Sequence, residues 1–273
     1  MSFGAIRVRA PATTANLGPG FDCAAVALDL WNELEVTPGG EPDRTHLGVQ
    51  AFERLAPAGG LRFDFIDRIP RERGLGSSAA VIALGLVAGA LAAGRDLVPQ
   101  DLLAEGISLE GHADNLAAAL TGGAVLTWGT TIERIADDVP AEPVALVPET
   151  RVGTAAARAA LPAEIPHSDA AFSAGRAALL GAALASGSPG LFAAALADRL
   201  HEPYRATGAP LFAEVREDLP AQALGATISG SGPTVIVWAR KGEADGVAAE
   251  LADRFPDVRV FWLKVSAEGA GHA

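Results

Sequence analysis

Cysteine and lysine are both scarce in this chain of 273 residues, and each shortage excludes a class of site. The single cysteine, Cys23, cannot form a disulfide within the chain, and no Cys/His cluster has the spacing of zinc ligands. Only two lysines occur, Lys241 and Lys264, and neither follows a glycine. Because a Walker A loop requires Gly-Lys-Ser/Thr, any phosphate site here must use backbone amides, arginine or a metal ion.

A net positive charge and membrane-targeting features are also missing. The formal net charge is −12 and there is no basic tract, so a nucleic-acid partner is not expected. The uncharged segment Ser77–Gly94 is mostly Ala and Gly and lacks anchoring residues at both ends, which favours a buried core helix over a membrane span. Residues 1–5 lack the basic flank and apolar core of a signal peptide, so we expect a cytoplasmic protein without membrane association.

The order of apolar segments predicts an α+β protein of two lobes, because strands and helices are mixed in both halves without regular βαβ alternation. Strands are expected at 5–10, 24–36, 61–66, 122–128, 144–148, 226–229, 235–239 and 258–265. Helices are expected at 49–55, 77–94, 99–109, 114–120, 154–161, 170–186, 191–200 and 243–254. The acidic, proline-bearing segment 136–142 is a candidate domain boundary, and the predicted domains are residues 1–143 and 144–273.

Three predicted loops are rich in small residues, and the first is Pro11–Asp22, directly after the first expected strand. Gly18 and Gly20 permit a close approach of the backbone, while Asn16 and Asp22 supply an amide and a carboxylate. These residues are typical of an ordinary turn and equally of a ligand-binding loop, and the segment alone leaves both open.

The second loop, Pro70–Ala80, indicates a phosphate site. It reads Pro-Arg-Glu-Arg-Gly-Leu-Gly-Ser-Ser-Ala-Ala and leads from a strand into the long helix expected at 77–94. The free amides and the dipole of a helix N-terminus bind anions, and Gly74 and Gly76 let those amides approach a phosphate. Ser77 and Ser78 could donate to an anion, and a serine hydroxyl here could reach a magnesium ion.

Two other interpretations of this loop stay open. Ser77 or Ser78 could simply cap the helix. The segment Gly74–Ala79 also fits the G-x-G-x-x-A variant of the dinucleotide-binding fingerprint, with Asp96 about 20 residues further on. The absence of a regular βαβ series around the loop favours the phosphate site over this fingerprint.

A third loop and a short polar segment complete the candidates. Gly225–Thr234 precedes an apolar run and is typical of a hairpin turn, which could also press its backbone against a substrate or a triphosphate. The segment Glu110–Asn115 places the carboxylates of Glu110 and Asp114 beside a helix end, where they could hold a metal ion or an ammonium group. His112 between them, taken alone, is more often a structural hydrogen-bonding residue than a catalytic one.

Together these segments resemble the GHMP small-molecule kinases, and most closely the homoserine kinase branch of that family. The resemblance covers most of the chain. It rests on Pro11–Asp22, Arg73–Ala80, Glu110–Asn115, Thr154–Pro162, Asp198–Arg205 and Gly225–Thr234. It implies an N-terminal domain like the second domain of ribosomal protein S5, a ferredoxin-like C-terminal domain, and a site between them. The implied reaction is ATP-dependent phosphorylation of the side-chain hydroxyl of L-homoserine, a step towards threonine.

The resemblance also implies a role for each matching residue. The amino-acid pocket would comprise Asn16, Asp22, His112, Asp114, Asn115, Arg158 and Arg205. The nucleotide would bind Pro70, Arg71, Arg73, Gly74, Leu75, Gly76, Ser77, Ser78 and Ala79. Mg²⁺ would be held by Ser78 and Glu110, with Glu105 as a second candidate. Thr154, Asn16 and Arg158 would lie at the reacting groups, and no residue matches a general base.

Alternative functions stay open on the same fold. The chain could phosphorylate another small alcohol, such as mevalonate or shikimate, or it could be a non-catalytic ligand sensor. Two arginine segments together with Asp22 favour a zwitterionic substrate, because arginine binds a carboxylate and aspartate binds an ammonium group. The family further implies a homodimer.

Overall fold

Two antiparallel sheets form the framework of the computed structural model, which describes residues 4–273. The strands are β1 Ile6–Asn16, β2 Gly20–Pro38, β3 Leu61–Ile66, β4 Ala124–Trp128, β5 Thr131–Ala136, β6 Glu142–Val147, β7 Ala223–Ile228, β8 Val235–Ala239, β9 Arg259–Trp262 and β10 Gly271–His272. The first sheet has the order β10-β1-β2-β4-β5 with β3 paired to β2, and the second has the order β7-β8-β6-β9. Residues 1–3 lie outside the described part, and the expectation of no signal peptide rests partly on them.

Ten α-helices and one short 3₁₀ helix occur in residues 4–273. They are α1 Leu47–Glu53, α2 Ser77–Ala92, α3 Pro99–Glu110, α4 Asp114–Thr121, α5 Thr154–Ala159, α6 His167–Ser186, α7 Pro189–Ala195, α8 Glu202–Arg205, a 3₁₀ turn Ala206–Gly208, α9 Pro210–Glu217 and α10 Ala244–Arg254. Every strand pairing in this part of the chain is antiparallel. Since the dinucleotide-binding fold needs parallel strands, that interpretation of Gly74–Ala79 is wrong.

The predicted core helix is confirmed as α2. Its residues from Ala79 to Ala90 are all buried, so the helix is apolar on every side. Its glycines allow α1 to pack very closely: a Cβ on Gly85 would lie 2.0 Å from the carbonyl oxygen of Gly48. In the described residues, no helix is both long enough and apolar enough to cross a membrane.

The first small-residue segment is not the loop that the sequence suggested. Residues from Pro11 to Asn16 continue β1, and β2 begins again at Gly20, so only a tight turn separates the two strands. The strand is buried on both faces here: the hydroxyl of Thr13 contacts Asn115 of α4, and that of the next residue, Thr14, contacts Ser229 after β7. A strand covered on both faces shows no alternation of apolar and polar residues, and the sequence pattern therefore missed it.

Other differences concern element ends. The strand β5 and the helix α9 were not predicted. The helix expected at 191–200 ends at Ala195, and the carboxylate of Asp198 accepts from the N–H groups of His201 and Glu202 at the start of the next helix. The predicted boundary after residue 143 falls inside β6 and stays a prediction. Chain segments near the C-terminus return to the first sheet, where β10 pairs with β1.

Candidate active site

The three small-residue segments meet at one point between the two sheets. Thr13 donates its backbone N–H to the carbonyl of Leu75 at 3.1 Å, and Gly230 donates its own to the carbonyl of Ala15 at 3.1 Å. The hydroxyl of Ser229 donates to the carbonyl of Gly74 at 2.6 Å. Hydrogen bonds thus fasten the end of β1, the loop before α2 and the β7–β8 hairpin to one another, although they are far apart in the sequence.

A cleft of about 530 Å³ opens beside this junction. The predicted site residues that line it are Asn16, Asp22, Arg71, Gly74, Gly76, Ser77, Ser78, Glu110, His112, Asp114, Asn115, Thr154, Arg158 and Arg205. The volume is in the range of small-molecule sites in proteins. The structure therefore brings most of the predicted phosphate and amino-acid groups into a single cavity.

Both glycines of the phosphate loop are required by their neighbours. Gly74 and Gly76 have φ angles of +81° and +65°, which side-chain-bearing residues rarely adopt. A Cβ on Gly74 would lie 2.1 Å from the carbonyl oxygen of Ser229, and one on Gly76 would lie 1.9 Å from Oγ1 of Thr13. The tight packing of the three segments accounts for these glycines before any phosphate is considered.

The N-terminus of α2 faces the cleft without a side-chain cap. Gly76 is the N-cap residue, and no side chain accepts a hydrogen bond from the first turn. The interpretation of Ser77 or Ser78 as a simple cap is therefore wrong. Uncapped amides and a helix dipole of sixteen residues leave this end able to bind an anion.

Ser78 points instead to Glu110, which ends α3. Its hydroxyl lies 2.9 and 2.8 Å from the two carboxylate oxygens, to which it donates. The Glu110 side chain is only 6% exposed, and burial raises its pKa although the Ser78 hydroxyl and His112 act in the opposite direction. Two hard oxygen donors side by side suit a magnesium ion that also takes phosphate oxygens. Within residues 4–273, no three His, Cys, Asp or Glu side chains are grouped so that they could hold a metal ion by themselves. A magnesium ion here would therefore need phosphate oxygens as further ligands.

The segment after α3 places a histidine and a carboxylate at the cleft wall. Nδ1 of His112 lies 3.2 Å from Oδ1 of Asp114, and the proximity of this carboxylate raises the pKa of His112 against the effect of burial. Asn115 lines the cleft, and its Oδ1 accepts from the hydroxyl of Thr13 at 2.7 Å. Asn115 therefore also ties α4 to β1.

The amide of Asn16 is engaged with the protein itself. Its Nδ2 donates to the carbonyl of Gly230 at 2.9 Å, and its Oδ1 accepts from the backbone N–H of Asp22 at 3.0 Å. Asn16 has a positive φ of 74° and is almost fully buried. It lines the cleft, as predicted, and it also holds Asp22 and the β7–β8 hairpin in place.

Both predicted arginines reach the cleft from the second half of the chain. Arg158, on α5, forms a two-pronged ion pair with Asp22, with N–O distances of 3.0 and 2.8 Å. Arg205, at the end of α8, is 5% exposed and donates through Nη1 to the carbonyl of Gly230 at 2.8 Å. Burial lowers the pKa of Arg205, and the nearby charge of Asp22 opposes that effect.

Five predicted residues do not line the cleft: Pro70, Arg73, Leu75, Ala79 and Glu105. The Arg73 guanidinium donates to the carbonyls of Pro148 and Glu149, at 2.8 and 2.7 Å, and so fastens the phosphate loop to the segment after β6. Leu75 and Ala79 have fully buried side chains. Leu75 and Ala79 could therefore contact a phosphate only through their backbone amides.

Sequence reasoning missed part of the cleft wall, which comprises Asp43, Thr45, His46, Leu47, Val81, Val152 and Gly153. Three further wall residues, Glu72, Gly230 and Ser231, lie in the second and third predicted loops. The turn residues Asp43 and Thr45 indicate a loop, and Nδ1 of His46 caps α1 by accepting from the N–H of Gly48 at 3.2 Å. These signals predict local structure, whereas the position of the loop at the cleft depends on the packing of α1 against α2.

Comparison with known proteins identifies the family of the chain. The sequence matches the family profile described as GHMP kinases N terminal domain over residues 46–123 and the profile described as GHMP kinases C terminal over residues 171–257. It is 42% identical to a homoserine kinase of Streptomyces avermitilis, over 97% of this chain and 95% of that protein. It is 41% identical to a homoserine kinase of Streptomyces coelicolor, over 90% of this chain and 88% of that protein.

Solved structures agree with these matches. A crystal structure of homoserine kinase from Cytophaga hutchinsonii superposes with a TM-score of 0.89 at 26% identity, covering 100% of this chain and 98% of that one. A mevalonate kinase from Methanococcus jannaschii has a TM-score of 0.73 at 15% identity, covering 96% and 98%, which shows a shared fold. The predicted two-domain fold is confirmed, and the chain belongs to the GHMP kinase family, in its homoserine kinase branch.

Proposed function

We propose that this protein phosphorylates the side-chain hydroxyl of L-homoserine with ATP as the donor, which yields O-phospho-L-homoserine, a step towards threonine. The observation that carries the proposal is a single cleft in which the uncapped N-terminus of α2 lies with three arginines and several carboxylates. One end suits a nucleotide phosphate, and the other suits a small molecule with both charges. The homoserine kinases among the relatives match over nearly the whole chain.

The charged groups of the cleft favour an amino acid over other small alcohols. A zwitterion needs carboxylates for its ammonium group and guanidinium groups for its carboxylate. Asp22 and Asp114 supply the first, and Arg158 and Arg205 supply the second. Mevalonate has no ammonium group and shikimate is a polyol acid, so neither would use this complete set.

A magnesium ion fits the pair of Ser78 and Glu110. Their oxygen atoms are hard donors, and Glu110 is buried against the hydroxyl at the N-terminus of α2. When bound, Mg²⁺ supplies charge neutralisation for the nucleotide phosphates. The retention of these groups also favours an enzyme over a non-catalytic sensor, which would not need them.

The protein's own contribution to the reaction is positioning and electrostatic stabilisation. Thr154 begins α5 and lines the cleft, as do Arg158 on the same helix and Asn16 at the end of β1. We assign these three residues to the region of the reacting groups, where they would orient the substrate hydroxyl and stabilise developing charge. No general base is assigned, since phosphoryl transfer depends mainly on alignment and charge neutralisation.

A coupled assay of ADP release tests this function. The full-length protein is given ATP and Mg²⁺ with homoserine, mevalonate, shikimate or water as the acceptor. We expect release with homoserine to exceed that with each of the others by at least tenfold. Higher activity on mevalonate or shikimate would reject the substrate assignment, and no release with any alcohol would support the sensor instead.

Two further properties are proposed only from the family: a homodimer and a cytoplasmic location. Neither is needed for the chemistry above, because the cleft is built from one chain. Light scattering during size-exclusion chromatography would measure the mass in solution and so test the dimer.

A further inference from the structure

His201 lies behind the amino-acid end of the cleft and has no exposed surface. It is the N-cap residue of α8, and Arg205 ends the same helix four residues later. Because residues four apart lie on the same face of a helix, the two side chains are neighbours. The ring of His201 also stacks on Phe21, with centroids 5.0 Å apart.

The hydrogen bonds of His201 determine which nitrogen carries its proton. Nε2 lies 2.7 Å from the carbonyl oxygen of Gly18. A carbonyl can only accept, so Nε2 must carry the hydrogen. Burial lowers the pKa of His201 to about 4, although the carboxylate of Asp198 opposes this. The ring is therefore neutral near pH 7, and Nδ1 presents a lone pair.

That lone pair faces the guanidinium of Arg205. Nδ1 lies 3.5 Å from Nη1, a long contact that orients the group more than it stabilises it. The same Nη1 donates to the carbonyl of Gly230 at 2.8 Å. Phe21 supports the guanidinium from one side, with its ring centroid 5.0 Å from Cζ. Three groups thus set the orientation of one planar side chain.

The rest of the guanidinium is left for a ligand. Nε of Arg205 is buried and has no acceptor in the part of the protein that the structure describes, while the residue lines the cleft. Buried donors are nearly always hydrogen-bonded in proteins, so an unpartnered one indicates a missing acceptor. A substrate carboxylate is such an acceptor.

We propose that His201 is a positioning residue for Arg205. By accepting from Nη1, it turns that edge of the guanidinium towards the protein and directs the remaining donors towards the substrate carboxylate. The proposal rests on the proposed function, because it takes Arg205 as the group that binds the carboxylate of homoserine.

Two substitutions separate this role from simple packing. In His201→Asn, the side-chain oxygen can take the place of Nδ1 and accept from Arg205, but the bond to Gly18 is lost. In His201→Gln, the amide can take the place of Nε2 and donate to Gly18, but the acceptor facing Arg205 is lost. The KM values for homoserine and ATP, kcat and the melting temperature are measured for both variants and the wild type.

We expect His201→Gln to raise the KM for homoserine about tenfold, because a misdirected guanidinium loses one charged hydrogen bond to the substrate carboxylate, with the KM for ATP nearly unchanged. His201→Asn should raise the KM for homoserine less than His201→Gln does. The reverse order, or equal increases for both substrates, would overturn the proposal and leave His201 a structural role. Wild-type protein without homoserine kinase activity would instead reject the proposed function.

A measurement on the wild type covers the case in which neither variant folds. The ¹⁵N shifts of the His201 ring at pH 7 report its tautomer. The proposal requires a proton on Nε2 and a bare Nδ1 whose shift changes when homoserine binds. A proton on Nδ1, or no change on binding, would overturn it.

Discussion

Asp22 and Arg158 pair across the cleft through two N–O contacts of 3.0 and 2.8 Å, although 136 residues separate them in the chain. Asp22 lies on β2 in the first sheet, and Arg158 lies on α5, after the chain has entered the second sheet. Their side chains are 37% and 39% exposed, so water reaches both. In our proposal, Asp22 helps to bind the ammonium group of the substrate and Arg158 helps to bind its carboxylate. The bound substrate would therefore replace the present contact between the two side chains.

The exposure of this pair leads to a prediction for Arg158→Gln. Solvent-exposed ion pairs contribute about 0–1 kcal/mol to stability, so the melting temperature should fall by no more than a few degrees. The value of kcat/KM for homoserine should fall at least tenfold, because a charged hydrogen bond to the substrate is lost. Arg7→Gln, which breaks an exposed pair with Glu35 away from the cleft, is the control. A large loss of stability with normal kcat/KM would assign the pair a structural role.

Glu110 and Glu105 lie on the same helix and were both candidates for the metal, which allows a matched comparison. Only Glu110 lines the cleft and contacts Ser78. We expect Glu110→Gln to lower kcat about a hundredfold, as removal of a key electrostatic group does, and to raise the Mg²⁺ concentration needed for half-maximal activity. Glu105→Gln should behave like the wild type. If Glu105→Gln, and not Glu110→Gln, raised the Mg²⁺ concentration needed for half-maximal activity, Glu105 would be the metal ligand.

Gly76 and Gly94 have φ angles of +65° and +66°, so alanine strains the backbone equally at both positions. A Cβ at Gly94 meets nothing within 4 Å, whereas one at Gly76 would collide with Oγ1 of Thr13. We expect Gly94→Ala to lower the free energy of unfolding by about 1–2 kcal/mol. Gly76→Ala should lower it further, and urea unfolding curves will compare them. Equal losses would show that the contact with Thr13 relaxes at no cost.

Glu202 is a buried acid whose replacement by glutamine should stabilise the protein at alkaline pH. Its side chain accepts from the N–H of Ile228 at 2.9 Å, and burial raises its pKa from 4.5 to about 8. Folding therefore favours the protonated form of Glu202. The amount by which Glu202 lowers the free energy of unfolding grows as pH rises from about 4.5 to 8 and is constant above that.

The melting temperature of Glu202→Gln should exceed that of the wild type by an amount that increases between pH 5 and pH 8.5. The exposed Glu217→Gln provides the control, and its difference from the wild type should stay constant. A difference for Glu202→Gln that does not depend on pH would show that Glu202 is ionised in the folded protein.

Some elements could be predicted from local sequence because local physics determines them. The helix α2 follows from an uncharged run of small apolar residues after a glycine loop, and the hairpin β7–β8 follows from glycines between two apolar runs. The sequence predicts the turn between β1 and β2, but it does not predict that the residues on either side of the turn belong to the strands. Their burial on both faces removes the alternation on which a strand prediction depends.

The properties of the site likewise depend partly on local sequence and partly on tertiary packing. The sequence by itself determined which chemical groups are available: a lysine-free phosphate loop, acidic residues beside a helix end and arginines in the second half. The tertiary structure alone decided that Thr13 meets Gly76, that Asp22 meets Arg158 and that Arg73 and Glu105 do not line the cleft. The physical reason is that such contacts join residues distant in the chain, whose meeting depends on the packing of the sheets and helices and not on local sequence.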